Sequence, residues 1–290
     1  MKLSLILFFS FLSLSAAAQD STMLDELKDS IRTTEKVYGI FKSTRVINAH
    51  SVDMLRKGNL DFRILHRFGF VNNGIREMFG LDEASMRIGL DYGLSDHFTI
   101  GIGRSTLRKE LDGFGKWRIM QQATGAKSHP LSLVVAGGWL AWTEESFAAV
   151  KPSTIDRFSY YLQLLAGKKF SPKFSLQLSP IYVRTNTALG GGGRDLFAAG
   201  AGLRYKLSKR TALTLDYHPI LSGKSDENTN PLSLGFDIET GGHVFQLHFS
   251  NATGMNERAY ISETYGEFFH GDIRFGFNLS RMFQLGKRNR

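Results

Sequence analysis

The 290-residue chain contains no cysteine. This absence excludes disulfide scaffolds, zinc–thiolate sites, cysteine nucleophiles and the lipidated cysteine of a bacterial lipoprotein. Only His, Asp and Glu side chains remain as metal ligands, and the eight histidines show neither a His-x-His nor a His-Glu-x-x-His spacing. The sequence therefore predicts no metal site and no cofactor.

Long hydrophobic runs are also scarce. Residues 1–18 combine a basic Lys2, an apolar run at residues 3–14 and small residues at 16–18, which is the pattern of a secretory signal peptide. A membrane anchor is the weaker alternative, because a spanning helix needs about 20 apolar residues. No later run approaches that length, so we expect no transmembrane helix in the exported chain.

Acidic residues are fewer than basic ones, 27 against 36, and the formal net charge is +9. Such a surplus suits nucleic acid, anionic lipid or anionic solutes. Export argues against nucleic acid. The remaining candidate partners are outer-membrane lipid and small anionic solutes.

Residues 19–57 form an N-terminal segment ahead of the main domain. Its apolar residues recur at spacings of three and four, which predicts one or two short amphipathic helices: Leu24, Leu27, Ile31, Val37, Ile40 and Phe41. The segment could lie in the periplasm, fill a lumen as a hatch, or serve as a spacer or cleaved leader. The pattern leaves these alternatives open.

From residue 58 the hydrophobic period changes to two, as in Met86, Ile88 and Leu90, which predicts strands with one apolar face. About twelve such segments follow, near residues 58–68, 84–92, 97–105, 112–122, 130–142, 157–167, 173–185, 195–206, 211–221, 231–239, 242–250 and 271–283. Most are long enough for the roughly 9–11 tilted residues that cross a bilayer.

The connections between these segments alternate between tight turns and mostly longer loops, as in outer-membrane barrels. A soluble sandwich would also alternate in hydrophobicity, but aromatic residues collect near the segment ends, as interfacial girdles do. The sequence therefore predicts an all-β fold, a closed antiparallel transmembrane β-barrel of about 12 strands over residues 58–283. A basic tail at 284–290 follows.

Several stretches resemble an uncharacterised family of Gram-negative outer-membrane β-barrel proteins, domain of unknown function 5777: residues 41–52 (FKSTRVINAHSV), 60–69 (LDFRILHRFG), 79–82 (FGLD), 101–106 (GIGRST) and 235–249 (GFDIETGGHVFQLHF). The resemblance covers nearly all of the exported chain. It implies a barrel and assigns no activity or catalytic residue. Residues 271–283 also resemble the C-terminal assembly signal of such barrels, which implies the barrel-assembly machinery as a partner during insertion.

One stretch carries an enzymatic hint. His248, Ser250 and Asn251 resemble the His-x-Ser-Asn motif of outer-membrane phospholipases. A lipid-cleaving site must face the bilayer, whereas alternation places His248 and Ser250 on the lumen side. We therefore predict no enzyme, with a lipid hydrolase as a remote alternative. The glycine run 190–193 precedes a strand and indicates a flexible loop rather than a phosphate cradle.

Placing the apolar faces outward turns more basic than acidic side chains into the lumen. The predicted lumen-lining and selectivity residues are Arg63, Arg67, Arg87, Lys116, Arg118, Arg204, Lys206, Asp216, Asp237, His248 and Arg274. So many charges require water or dense pairing. We expect either an open, mildly anion-favouring pore or a barrel closed by an Arg/Asp network.

The leading functional hypothesis is a passive pore or small-solute transporter with a mildly basic lumen. The alternative is a non-conducting structural or assembly barrel that binds a partner through its loops or its N-terminal segment. The alternating hydrophobic pattern predicts a barrel under both hypotheses and does not distinguish between them.

Overall fold

The computed structural model describes residues 33–145, 153–186 and 194–285. The predicted signal peptide, the glycine run 190–193 and the tail beyond residue 285 lie outside these ranges. In chain order the strands are β1 (Thr34–Lys36), β2 (Asn59–Phe70), β3 (Ala84–Ser95), β4 (Phe98–Ser105), β5 (Glu110–Met120), β6 (Ala123–Gly125), β7 (Ser132–Trp142), β8 (Phe158–Lys169), β9 (Phe174–Thr185), β10 (Arg194–Lys206), β11 (Thr211–Tyr217), β12 (Ile220–Ser222), β13 (Leu232–Thr240), β14 (His243–Ser250) and β15 (Arg274–Gln284).

Twelve of these strands form the wall of a closed antiparallel barrel. Each pairs with its sequence neighbours in the wall, and β15 pairs with β2. β12 continues the course of β11 along β10. The predicted fold class is confirmed, and the twelve predicted segments correspond one to one with the wall strands. The largest adjustments are at strand ends: β11 ends at Tyr217 instead of residue 221, β3 extends to Ser95 instead of residue 92, and β15 begins at Arg274 instead of residue 271.

The two faces of the wall have opposite chemistry. On β8 the outward Leu162 is 57% exposed, whereas the adjacent Gln163, which points inward, is fully buried. A soluble barrel would place the apolar side chain inside. An apolar outer surface around polar interior groups is the arrangement that a bilayer stabilises. None of the helices in the described ranges has the length and apolar character needed to span a membrane.

The ends of the barrel also differ. One end, which we call the turn end, carries tight connections such as Gly241–Gly242. The other, the loop end, carries longer connections, including residues 251–273 between β14 and β15. The first described residues lie at the turn end, because β1 pairs with β6 in the connection between β5 and β7.

Residues 37–57 then follow an irregular path with no helix. Of these, residues 40–55, which we call the plug, lie inside the barrel. The spacing of Val37, Ile40 and Phe41 therefore does not mark a helix at these positions. Ile40 and Phe41 are buried against wall residues Val134, Ala136 and Leu165.

Candidate functional site: the filled lumen

The plug is surrounded by the wall on all sides. Its polar groups bond to side chains from β2, β5, β9, β11, β14 and β15, which together cover the whole circumference. A segment outside the barrel could reach only a few neighbouring strands. The plug therefore occupies the lumen.

The tip of the plug is a short hairpin in which Arg45 and His50 form an antiparallel bridge. The carboxylate of Asp216 on β11 accepts hydrogen bonds from the backbone N–H groups of Asn48 and Ala49, at 2.8 and 3.0 Å. The other oxygen of Asp216 lies 2.7 Å from Nε2 of His218. One buried carboxylate thus accepts hydrogen bonds from two backbone N–H groups that would otherwise need water as their acceptor.

Wall side chains also replace the strand partners that the plug lacks. The Gln177 amide accepts from the N–H of Val52 and donates to the carbonyl of His50, both at 2.8 Å. Nζ of Lys116 donates to the carbonyls of Ser51 and Asp53, at 2.7 and 2.9 Å. Because backbone groups bond to fixed wall side chains, the irregular path of the plug has a defined position.

A second segment enters the lumen from the loop end. Residues 251–264, which we call the lumen loop, contain a single-turn helix α1 (Glu257–Ser262). Asn256 caps it by accepting from the N–H of Ala259 at 2.9 Å. Five of its six residues are buried, and α1 packs against β8, β9 and β10.

The lumen loop is fixed to the wall through Glu110 on β5. This carboxylate accepts from Nδ2 of Asn256 at 2.6 Å and pairs with Arg258. Arg258 also pairs with Glu263 at 2.8 Å, and Arg108 pairs with the same carboxylate at 3.1 Å. The loop is therefore held by charged groups at the loop end of the lumen.

The plug and the lumen loop meet at a buried ion pair. Nη1 of Arg45 lies 2.8 Å from Oε1 of Glu257, and Nε2 of His50 lies 3.2 Å from the same oxygen. Both side chains of the Arg45–Glu257 pair are at most 3% exposed. This contact joins the two inserted segments, so displacement of one breaks a buried charge pair of the other.

The structure places the predicted lumen residues in two groups. Arg63, Arg67, Arg87, Lys116, Arg204, Asp216, Asp237 and His248 are buried inside the barrel. Arg118, Lys206 and Arg274 are half-buried near the strand ends. Arg274 lies over the ring of Phe70 with its carbon Cζ 3.5 Å from the ring centre, and it donates to the carbonyl of Phe68.

Sequence reasoning missed two acidic groups of the interior. Glu110 and Asp112 are buried on β5, where Asp112 accepts from Nε of Arg87 at 2.8 Å. The predicted strand began at residue 112, so Glu110 was assigned to a loop. The buried wall bases Arg63, Arg67, Arg87, Lys116 and Arg204 face a similar number of acids: Asp61, Asp91, Glu110, Asp112, Asp216 and Asp237.

His248 and Ser250 both face the lumen and are buried, as alternation predicts for β14. The Ser250 hydroxyl lies 2.8 Å from the Ser233 hydroxyl and accepts from the N–H of Ala252. Within the described ranges, no hydrogen bond joins it to His248, and no three His, Asp or Glu side chains gather as a metal site. The geometry provides no nucleophile–base pair that reaches lipid.

We expect acidification to loosen the lumen loop through Glu263. Burial alone would raise its pKa, but Arg258 and Arg108 outweigh that effect and hold the pKa below its ordinary value. The resulting stabilisation is complete above the ordinary glutamate pKa, about 4.3, and is lost as the pH falls through the lowered value. A polarity-sensitive dye on Tyr265→Cys, an exposed position, should report loop release in that acidic range.

The matched variant Glu263→Gln should remove this pH response while the loop retains its other contacts. A transition of equal size in Glu263→Gln would assign it to a different carboxylate. The engineered thiol has no competitor, since the chain contains no cysteine.

No curated protein matches the chain. Among solved structures, the NanC porin shares 8% identity at a TM-score of 0.47, covering 78% of this chain and 100% of that one. The CymD monoaromatic hydrocarbon channel shares 11% identity at 0.38, covering 79% and 90%. OmpF of Salmonella typhi, in complex with daunomycin, shares 9% at 0.35, covering 78% and 98%. Likenesses this distant do not identify a function.

The family comparison is more specific. One family model matches residues 41–283, which include the lumen loop, the plug from Phe41 onward, and all twelve wall strands apart from the last residue of β15. The chain belongs to the family described as the membrane-bound beta barrel domain, DUF5777.

Proposed function

We propose that the protein is an outer-membrane channel for small solutes, closed at rest by the plug and the lumen loop. The observation that carries this proposal is the polar seam between plug and wall. Asp216, Lys116 and Gln177 bond to plug backbone groups, and water can replace each of these bonds when the plug leaves. A net hydrogen bond contributes only about 0.5–1.5 kcal/mol, or about 1.5–3 kcal/mol where one partner is charged, so each bond of the seam adds little to the cost of opening.

The outer membrane is part of the same proposal. The family is membrane-bound, residues 1–18 carry the predicted signal peptide, and the connections alternate between tight turns and long loops. In outer-membrane barrels the tight turns lie in the periplasm. The plug then enters from the periplasm and the lumen loop from outside.

Small anionic solutes are the proposed cargo. At the turn end Lys169 interacts electrostatically with Arg204, Lys206 and Lys42, and also with the acidic Asp53. Lys42 pairs with Glu239 at 2.7 Å, so bases outnumber acids in this group by a small margin. This surplus of positive charge would favour anions at the periplasmic mouth. Deeper in the lumen the numbers of basic and acidic wall side chains are similar, so these charges support only a weak preference for anions.

One observation favours the non-conducting alternative. The plug and the lumen loop also bury apolar groups, as in the cluster of Ala49, Tyr260 and Ile261 with Val183 and Leu196. Apolar burial stabilises by about 25 cal/mol per Å², which water cannot replace on opening. In that alternative the two segments are a permanent core and the barrel acts through its surface.

A reversible disulfide between the plug and the wall distinguishes the gated channel from the non-conducting barrel. A Cβ added at Gly167 on β8 would lie 3.3 Å from Cβ of Val52 in the plug. Disulfides need about 3.5–4.5 Å between these atoms, so the double variant Val52→Cys/Gly167→Cys should cross-link after a small adjustment. In planar bilayers we expect a silent barrel when oxidised and discrete openings after reduction.

The single variants Val52→Cys and Gly167→Cys serve as controls and should conduct independently of the redox state. Equal conductance of the oxidised and reduced double variant would refute the plug as the gate. Silence of wild type and of both redox forms, with the barrel inserted, would support the non-conducting alternative.

A further inference from the structure

A groove of about 730 Å³ crosses the outer, lipid-facing surface of β3, β4 and β5. Its floor is apolar and includes Ile88, Leu90 and Ile102, each at least 40% exposed. Three strands spaced about 4.8 Å apart give a floor roughly 10 Å wide, which accommodates two acyl chains side by side.

The groove has depth because a glycine faces the membrane there. Gly113 on β5 pairs with Ile102 on one side and Trp139 on the other, and cross-strand partners share a face. The indole of Trp139 lies over the position that a Cβ of Gly113 would occupy, 2.8 Å from that point. The ring thus forms one wall of the groove, and any larger residue at position 113 would displace it.

The loop-end opening of the groove is basic. Arg104 on β4 pairs with Ile88 and Leu111, so it stands on the same outward face. Lys109 is exposed beside it. Within the described residues no carboxylate pairs with either side chain, whereas the neighbouring Arg108 is paired with Glu263 at 3.1 Å.

The connection that presents these cations is strained. Arg108 and Lys109 both adopt left-handed backbone angles, with φ of 52° and 49°. Such angles cost about 1–2 kcal/mol per residue outside glycine. They direct the carbonyl of Lys109 toward Nη1 of Arg104, which donates to it at 2.9 Å. This hydrogen bond places the guanidinium of Arg104 beside Lys109 at the head of an apolar groove, and backbone strain at such a position points to function.

We infer that this groove is a binding site for a phosphorylated, multi-acyl glycolipid of the lipid A class in the outer leaflet. The acyl chains lie over Ile88, Leu90 and Ile102, and a phosphate of the head group bonds to Arg104 and Lys109. Guanidinium and ammonium groups match phosphate oxygens in charge and geometry. The site rests on the proposed outer-membrane location, and it does not depend on whether the lumen opens.

The test uses the full-length refolded chain in detergent, titrated with lipid A and followed by native mass spectrometry. We expect the double variant Arg104→Gln/Lys109→Gln to bind diphosphorylated lipid A at least tenfold more weakly. The matched control Arg281→Gln, an exposed base on β15 at the turn end, should bind like wild type.

Two further probes identify the ligand. Lipid A without its phosphates should bind wild type weakly, with an affinity similar to that of diphosphorylated lipid A for the double variant. Phosphatidylglycerol should bind wild type more weakly than diphosphorylated lipid A does. Equal binding of all three lipids, or an unchanged affinity in the double variant, would overturn the site. The heat-dependent shift in gel mobility that folded barrels show checks that each variant is folded. Arg104→Lys, which keeps the positive charge, should retain most of the lipid A binding.

Discussion

Replacing Arg45 with methionine should convert the resting barrel into one that opens frequently. Methionine keeps much of the side-chain volume but leaves Glu257 buried without its arginine partner, with His50 still beside it. Removing one partner of a buried ion pair costs about 3–5 kcal/mol. In the open state Glu257 would be hydrated, so this cost falls on the closed state alone. At 1.4 kcal/mol per tenfold change, the equilibrium should shift toward open by roughly a hundredfold or more.

Single-channel recording of open probability is the measurement. Arg56→Met is the matched control, because Arg56 belongs to the same N-terminal segment but is exposed at the turn end. The double variant Arg45→Met/Glu257→Gln should recover part of the closed state, since it removes both charges together. If Arg45→Met folds and its open probability equals that of wild type, the ion pair does not hold the gate.

Truncating Asp216 should release the tip of the plug. Asp216→Ala leaves the buried N–H groups of Asn48 and Ala49 without an acceptor. Each unsatisfied buried donor costs about 1–3 kcal/mol, so the docked plug should lose about 2–6 kcal/mol. The lower limit already corresponds to roughly a thirtyfold shift toward the released state.

Hydrogen exchange of the amides at positions 48 and 49 reports this release directly and does not require conduction. Their exchange should accelerate in Asp216→Ala, while amides of the strand ladder keep their protection. Asp216→Asn should have a smaller effect because it retains one oxygen. Asp195→Ala, an exposed carboxylate paired with Arg184 on the barrel surface, is the control. Unchanged exchange at 48 and 49 would show that other contacts hold the tip.

These predictions concern residues that sequence patterns did not select. The plug residue Arg45 lies in a stretch without hydrophobic period, because its neighbours contact the wall from several directions rather than along one face. Sequence patterns predict an external connection over residues 251–270 and do not reveal that residues 251–264 enter the lumen. A local signal was present, since Asn256 before Glu257 is a helix-capping pattern. A single helical turn, however, is too short for periodicity to reveal.

The partners of the charged side chains inside the barrel were likewise not predictable from local sequence patterns. Alternation identified Asp216 and Lys116 as inward-facing, and both are. It did not show that Lys116 bonds to plug carbonyls instead of lining water. Contacts of this kind join residues more than 60 positions apart, and no local pattern encodes them.

By itself the sequence predicted that the chain forms a membrane β-barrel of about twelve strands, and alternation indicated which face of several strands meets lipid. It could do so because a bilayer imposes a period of two and a minimum strand length on every segment independently. Only the tertiary structure decided that the lumen is filled, by which segments, and through which charge pairs. Those outcomes depend on which side chains meet after the barrel closes, and closure brings together residues that have no fixed relation along the chain.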